Sequence, residues 1–173
     1  MTTIPLLLFF AGAAADWTKP VEVTHDDKTS VSYRAKLAGG SHVLVEVKLE
    51  PGWHTFALDN DKRAAEKLAG KKALGVDKPT SIALQGLAAV GPWLQPEPKD
   101  FSNAEIRMFT WGFENQALFA APVKRTAGPM QLRIRGQACT EAVCKNIDVT
   151  LALPAGGSGG GAAPDLAGLV AVR

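Results

Sequence analysis

The residues of this sequence with the clearest capacity for chemistry are its only two cysteines, Cys139 and Cys144. They are separated by Thr140-Glu141-Ala142-Val143 and lie between two segments in which apolar and polar residues alternate. Directly opposed residues of an antiparallel strand pair have Cα atoms about 4.5–5.5 Å apart, and a disulfide accepts about 4.4–6.8 Å. The spacing therefore predicts that the cysteines face each other across a hairpin and can form a disulfide.

A disulfide at this position could serve in two ways. In the chain-entropy model, a bridge across so short a loop adds about 2 kcal/mol to stability, against nearly 5 kcal/mol for a loop of about 100 residues. A bridge near the tip of a hairpin also leaves its sulfurs accessible to an attacking thiolate, as thiol–disulfide exchange requires. The residues alone leave a structural bridge and a redox-active bridge both open.

Metal binding is a third use of the cysteines, with His54 or Met108 as a further ligand. A zinc site is disfavoured because the sequence has three histidines and none lies near the cysteines at the spacing of zinc ligands. We therefore expect no metal and no cofactor.

The elements that must position the cysteines are predicted to be β-strands. Residues 130–135 and 147–153 alternate apolar and polar side chains, and residues 31–37 and 43–49 do the same on either side of a glycine-containing turn. Further strands are predicted at 53–58, 80–84, 105–110 and 116–123. About eight short strands with Gly and Pro between them predict an all-β fold, an immunoglobulin-like antiparallel β-sandwich, with a closed barrel as the alternative.

Two segments interrupt the strand pattern. Residues 61–74 are rich in Lys, Ala and Glu, and Asp59, Asn60 or Asp61 could cap their start, so this segment predicts one short inserted surface helix. Residues 91–98 contain three prolines and predict an ordered loop, because proline cannot donate to a strand ladder.

The composition and the two ends of the chain limit its class and location. A chain of 173 residues with 46% hydrophobic content and a net charge of +2 predicts one globular domain, and it offers no electrostatic basis for binding nucleic acid or an anionic membrane. Residues 1–15 are uncharged, carry an apolar run and end in three alanines, which predicts a signal peptide and export. No segment reaches the roughly 18 apolar residues of a membrane span. We expect the domain at residues 19–154, followed by a Gly-rich linker and short tail at 155–173.

Export would permit the disulfide to form, because exported compartments lack the thiol-reducing systems of the cytosol. With the strands, export and the cysteine hairpin together, residues 21–154 resemble the amino-terminal periplasmic domain of the thiol:disulfide interchange protein DsbD family. The resemblance is carried by the segments Pro51-Gly52-Trp53-His54-Thr55-Phe56, Lys78-Pro79-Thr80, Lys99-Asp100-Phe101, and Gly136-Gln137-Ala138-Cys139 with Cys144. The cysteine segment is the most specific of these.

The resemblance implies a function and a redox pair. It implies a periplasmic, immunoglobulin-like module that takes electrons from a thioredoxin-like or membrane electron-transporter protein and reduces disulfides of periplasmic proteins, with a place in cytochrome c biogenesis. Cys139 and Cys144 would be the redox pair, with Cys144 forming mixed disulfides. Since neither a membrane bundle nor a thioredoxin-like domain follows residue 154 in this sequence, we expect the donor to be a separate polypeptide.

The resemblance also implies the surroundings of the cysteines. Phe101 would be a cap residue that shields the pair until a partner docks, and Asp100 is the acid beside it. His54 and Phe56 occupy positions where the family often has aromatic groups near the cysteines. The alternative is an extracytoplasmic immunoglobulin-like binding domain in which the disulfide is purely structural.

Overall fold

A computed structural model describes residues 17–71, 78–154 and 163–173. The predicted signal peptide at residues 1–15 and the Gly-rich linker at 155–161 lie outside the described residues. Within the described ranges, no helix is long and apolar enough to cross a membrane.

Short strands and a single helix make up the regular structure of the described residues. The elements are β1 (Val21–His25), β2 (Lys28–Ala38), β3 (His42–Leu49), β4 (His54–Phe56), α1 (Asn60–Leu68), β5 (Ser81–Gln85), β6 (Leu87–Ala89), β7 (Leu94–Pro96), β8 (Lys99–Asp100), β9 (Trp111–Glu114), β10 (Gln116–Arg125), β11 (Gln131–Cys139), β12 (Cys144–Ala152) and β13 (Leu169–Ala171).

The strands that the structure describes form two antiparallel sheets. One sheet has the order β1-β2-β3-β10-β7-β13, with β6 also paired to β10. The other has the order β12-β11-β4-β9-β8, with β5 paired to the part of β11 that β4 leaves free. The expected immunoglobulin-like β-sandwich with one short helix is confirmed, because alternating strands bury one apolar face each between two sheets.

The core between the sheets follows the alternation seen in the sequence. In β2, Val31, Tyr33 and Ala35 are fully buried, and in β11, Leu132 and Ile134 are fully buried. The β2–β3 hairpin predicted from residues 31–37 and 43–49 pairs from Val31↔Leu49 to Ala38↔His42. Each large apolar side chain buried in this way contributes about 1.5–3 kcal/mol, so the sandwich has a core that does not depend on the disulfide.

Helix α1 is shorter than expected and is anchored by side chains that do not cap it. Residues 61–74 were the predicted range, whereas α1 ends at Leu68, where Ala69 adopts a left-handed conformation; residues 72–74 lie outside the described part. Asp59 stands at the N-cap but makes no capping hydrogen bond. Its carboxylate instead accepts hydrogen bonds from Arg63 and Gln95, while Asn60 Oδ1 accepts one from the backbone of Trp111.

Two loop and strand predictions are corrected. Residues 105–110, predicted as a strand, belong to a loop with a single isolated bridge between Asn103 and Met108. These residues alternate in polarity, but no neighbouring strand in the described part of the chain pairs with them, so they do not form a strand. Residues 91–98, predicted as a loop, contain β7, which tolerates Pro96 because that residue is the last of only three in the strand.

The described part of the tail rejoins the sandwich. β13 pairs with β7, and Leu166 and Leu169 pack with Trp17 and Leu44 in a small apolar cluster separate from the main core. Apolar residues of β3 and β10, such as Leu44 and Ala120, are thereby covered on their outer side by Trp17 from the start of the described residues and by Leu166 and Leu169 from their end.

Candidate functional site

The cysteines close the hairpin formed by β11 and β12. The two strands pair without interruption from Gln131↔Ala152 to Cys139↔Cys144, and the cysteines form a disulfide with Cα atoms 4.0 Å apart. Between them, the Thr140 hydroxyl accepts hydrogen bonds from the backbone of Ala142 and Val143 at 3.2 and 3.1 Å. The predicted facing arrangement of the cysteines is confirmed, and the turn that imposes it is held by Thr140.

Strand pairing extends this arrangement into a row across four strands. Cys139 is opposite Cys144 on β12 and opposite His54 on β4, and His54 is opposite Glu114 on β9. Directly opposed residues of antiparallel strands lie on the same face of a sheet, with Cβ atoms about 4.5–5.5 Å apart. We call Glu114, His54, Cys139 and Cys144 the cross-strand row.

The cross-strand row is on the outer face of its sheet. Ala138, next to Cys139, and Ile147, three residues after Cys144 on β12, face inward and are buried in the core. Thr55, next to His54, is also buried, and its hydroxyl donates to the backbone oxygen of Gln137 at 2.9 Å. Because side chains alternate along a strand, the disulfide and His54 must project away from the core, toward solvent or toward whatever covers that face.

A loop covers part of this outer face. Residues 101–110, which we call the cap loop, connect β8 to β9 as a hairpin in which Phe101 N donates to Thr110 O at 2.9 Å. Asn103 and Met108 exchange backbone hydrogen bonds of 2.7 and 2.9 Å closer to its tip. The cap loop is therefore an ordered hairpin rather than an unstructured connection.

Asp100 holds the entry to the cap loop. Its Oδ1 accepts a hydrogen bond from Ser102 N at 2.8 Å. Hydrogen bonding from Ser102 lowers the pKa of the Asp100 carboxyl below its ordinary value, because these bonds favour the charged form. Asp100 is exposed and is not among the residues that line the cleft described below, so it acts on the loop rather than on the sulfurs.

Phe101 lies directly on His54. The two rings are stacked with centroids 4.8 Å apart and an angle of 20° between their planes. The ammonium group of Lys99 lies 5.1 Å from the Phe101 centroid, and Phe56 meets His54 edge-on with centroids 5.5 Å apart. The cap loop is thus fastened to the sheet through contacts between rings and a nearby cation.

The two cysteines differ in exposure. Cys139 is only 4% exposed, whereas Cys144 is exposed. Cys139 sits beside His54, whose ring is under Phe101, while Cys144 is at the outer edge of the row. Cys144 is therefore the more accessible of the two cysteines.

A cleft of about 950 Å³ opens between the cap loop and the cysteine hairpin. It is lined by Gly52, His54, Phe56, Phe101, Met108, Thr110, Glu114, Gln137, Cys139, Thr140, Glu141, Ala142, Val143 and Cys144. Five of the six residues singled out from the sequence line it, and the sixth, Asp100, adjoins it. The segment with His54 and Phe56 lies more than eighty residues before the cysteines, and the strand pairing of β4 with β11 brings the two segments together.

Electrostatics at the site centre on His54. Burial lowers the pKa of its imidazole below the ordinary value; the charge of Glu114 raises it and that of Lys99 lowers it further. Lys99 and Glu114 also form an ion pair of 2.9 Å beside the ring stack. In the described ranges no three His, Cys, Asp or Glu side chains are arranged to hold a metal ion.

Sequence reasoning missed Glu114 and Thr140 as parts of this site. Thr140 follows a cysteine in a short loop, where a hydroxyl that can bond to the backbone is a recognisable turn signal. Glu114 carries no comparable signal, because its relation to His54 exists only through the pairing of β4 with β9.

A family model described as the N-terminal part of the thiol:disulfide interchange protein DsbD matches residues 20–155 of the chain. No curated protein matches the sequence.

Three of the solved structures similar to this one contain N-terminal domains of ScsB or DsbD proteins. The N-terminal periplasmic domain of ScsB from Proteus mirabilis is 20% identical with a TM-score of 0.54; the alignment covers 81% of this chain and 51% of that one, so this chain spans about half its length. The reduced DsbD N-terminal domain of Neisseria meningitidis is 14% identical with a TM-score of 0.45, covering 71% and 90% of the two chains. A complex between the DsbD and PilB N-terminal domains of Neisseria meningitidis gives 16% identity, a TM-score of 0.47, and coverage of 75% and 86%. The likeness to the ScsB domain supports the shared fold.

Proposed function

We propose, from the premise that the chain belongs to the family of the N-terminal domain of the thiol:disulfide interchange protein DsbD, that it is an exported electron-relay module. Its Cys139–Cys144 disulfide would be reduced by a thioredoxin-like or membrane electron-transporter protein. The reduced cysteines would then reduce disulfides of periplasmic proteins. The observation that carries the proposal is the unequal exposure of the cysteines beside an open cleft.

The exchange runs through Cys144 in both directions. A thiolate of the donor attacks the Cys144 sulfur, the Cys139 thiolate leaves, and the second donor thiol then displaces Cys144, so two electrons and two protons enter the domain. In the outward step the Cys144 thiolate attacks a disulfide of the acceptor, and one acceptor sulfur leaves. Cys139 then attacks Cys144, re-forms the bridge and releases the second acceptor sulfur. Exposure supports Cys144 as the attacked and attacking residue, because exchange needs access to one sulfur.

Phe101 would govern how readily the pair reacts. An apolar cover disfavours the thiolate over the neutral thiol, and only the thiolate is a nucleophile. A partner that displaces the cap loop would expose and activate the cysteines at the moment of docking. The chemistry uses the sulfurs alone and requires no metal or cofactor.

The experiment that tests the proposal is equilibration of the oxidised domain with a reduced thioredoxin-like protein, with thiols trapped by alkylation. A relay disulfide is expected to equilibrate within minutes and to have a potential in the range of about −270 to −120 mV, where exchange proteins lie. A structural disulfide would have a potential below about −300 mV. A bridge that stays intact with excess reductant would reject the relay and favour the binding-domain alternative.

Single-cysteine variants provide the matched control. Cys139→Ser keeps the exposed cysteine and lacks the residue that resolves the intermediate, so it is expected to accumulate a mixed disulfide with the partner. Cys144→Ser is expected to accumulate little. Equal trapping by both variants would contradict the assignment of Cys144.

A further inference from the structure

His54 holds a central position between the cap loop and the disulfide. It is opposite Cys139 in the pairing of β11 with β4, and the Phe101 ring stacks on its imidazole with centroids 4.8 Å apart. Its ring and Phe101 line the same cleft as both cysteines. A motion of Phe101 away from His54 would therefore separate the two stacked rings and expose more of the imidazole to solvent.

The charged groups around His54 come from each element packed against it. Glu114 on β9 is directly opposite, Lys99 on β8 lies over Phe101, and Glu141 lines the cleft from the turn between the cysteines. The carboxylate of Glu114 is already engaged by Lys99 at 2.9 Å. A proton on His54 would thus place a second cation beside Lys99, in a half-buried position whose nearest carboxylate is shared.

We propose that His54 is the positioning residue of the cap loop: neutral, it holds Phe101 over the Cys139 side of the disulfide, and protonated, it releases Phe101. The effect on reactivity rests on the proposed relay function. The coupling between ring stacking and protonation rests only on the geometry around His54.

The direction of the coupling follows from burial. With the loop closed, burial lowers the pKa of His54; with the loop open, the exposed ring returns toward the ordinary value of about 6.5. The open state then binds the proton more tightly than the closed state. Lowering the pH from the ordinary pKa of histidine to the lower pKa of the closed state therefore shifts the population toward the open state. Each unit of difference between the two pKa values corresponds to about a tenfold change in the open-to-closed ratio.

The direct test is a nuclear magnetic resonance titration of the histidine rings in wild type and in Phe101→Ala. Removing the phenyl ring uncovers His54, so its pKa is expected to be higher in Phe101→Ala than in wild type. His25, which contacts Trp53, and His42, which bonds to Ser41, are internal controls whose signals should be alike in both proteins. An unchanged pKa of His54 in Phe101→Ala would overturn the proposal. A lower pKa would also overturn it, because it would show that stacking on Phe101 favours the protonated ring.

The second test measures the consequence at the disulfide. The oxidised wild type and His54→Phe are reduced with tris(2-carboxyethyl)phosphine between pH 5 and pH 8, and the ratio of their rates is taken at each pH so that the reagent's own titration cancels. His54→Phe keeps an aromatic stack but cannot be protonated, so the ratio of wild type to variant is expected to rise as the pH falls. A flat ratio would overturn the release step, and His42→Gln serves as the matched control that should follow wild type.

The two proposals fail in different ways. A bridge that resists thioredoxin-like reductants would reject the relay while leaving the titration difference in place. If the disulfide exchanges normally but neither the pKa difference nor the pH-dependent ratio is seen, the relay function stands. His54 would then have no role in controlling the cap loop.

Discussion

At the scale of single residues, strand register explains why two neighbouring cysteines differ so much. Both project from the outer face of their sheet, because Ala138 beside Cys139 and Ile147 three residues after Cys144 face the core and side chains alternate along each strand. Only Cys139 is also opposite His54, under the stacked Phe101 ring. Cys139 is thus buried where it borders His54 and the cleft, whereas Cys144, at the outer end of the row, is exposed.

Tyr33 is a second residue whose surroundings the sequence does not reveal. Its side chain is fully buried, and its hydroxyl makes no hydrogen bond of acceptable geometry to any described residue. Burial raises the pKa of Tyr33, and the nearby Thr55 hydroxyl offsets only part of that rise. A buried hydroxyl without a partner costs about 1–3 kcal/mol.

We predict that Tyr33→Phe raises the free energy of unfolding by about 1 kcal/mol, because it removes an unpaired polar group with little change in volume. Urea denaturation followed by circular dichroism measures this change. Thr55→Val is the control, since the Thr55 hydroxyl does donate to Gln137 O at 2.9 Å, and its loss should lower stability. A loss of stability in Tyr33→Phe would mean that the hydroxyl is paired.

At the scale of elements, the cap loop owes its position to contacts at its base and not to its own sequence. Asp100 accepts from Ser102 at the start of the loop, and Asn60 of α1 holds the backbone of Trp111 just after its end at 2.7 Å. The loop tip carries Ile106, which is 48% exposed. The base of the cap loop is held in place and carries the ring stack, whereas its tip is exposed. This arrangement suits a loop whose tip and middle move together about a fixed base.

We predict that Phe101→Ala speeds oxidation of the reduced cysteines by hydrogen peroxide several-fold, because the apolar cover that disfavours the thiolate is gone. The loss of free thiol is followed by alkylation and mass spectrometry. Ile106→Ala, in the same loop but remote from the ring stack, is expected to behave as wild type. Equal rates for Phe101→Ala and wild type would show that Phe101 has only a packing role.

At the scale of the whole molecule, one buried carboxylate joins distant parts of the described chain. Asp59 Oδ1 accepts from Arg63 on α1 at 3.0 Å and from Gln95 on β7 at 2.8 Å, and Oδ2 accepts from the backbone of Arg173 at 3.2 Å. Burial raises the pKa of Asp59, but hydrogen bonds from Arg63 and Gln95, with the backbone bond from Arg173, outweigh it and leave the pKa below its ordinary value.

This network predicts a specific loss of stability in acid. The folded pKa of Asp59 is below the unfolded value of about 3.9, so the stabilisation is fully present above that pH and is lost as the pH falls through the folded pKa. Asp59→Asn should flatten the pH dependence of the free energy of unfolding below about pH 4. It should also cost about 1–3 kcal/mol at pH 7, because the buried Arg63 then keeps only the exposed Glu97, at 3.3 Å, as a charged partner.

Denaturation at several pH values between 2 and 7 checks both parts of this prediction. Asp148→Asn is the matched control: Asp148 binds Arg133 bidentately at 2.7 Å on the exposed surface, where an ion pair contributes little. An Asp59→Asn variant as stable as wild type at pH 7 would contradict the network's role.

Local pattern was enough to predict several features of this protein. Alternation along β2, β3, β11 and β12 predicted the strands, the two hairpins and the sandwich, because burying one face of a strand requires a period of two. The short spacing of Cys139 and Cys144 predicted their facing positions, because the partner strand is the next one in the chain. Resemblance of short motifs then pointed to the surrounding residues.

The sequence by itself determined the long strands β2, β3, β11 and β12, the cysteine hairpin and the family, since each depends on neighbours in the chain or on motif identity. Only the tertiary structure decided which outer-face residues stand beside the disulfide. The row from Glu114 through His54 to Cys139 depends on β4 pairing with β9 and β11, which are distant in sequence. A shift of one residue in either pairing would turn His54 to the other face, so register set by the whole fold, and not local pattern, places His54 between the cap loop and the disulfide.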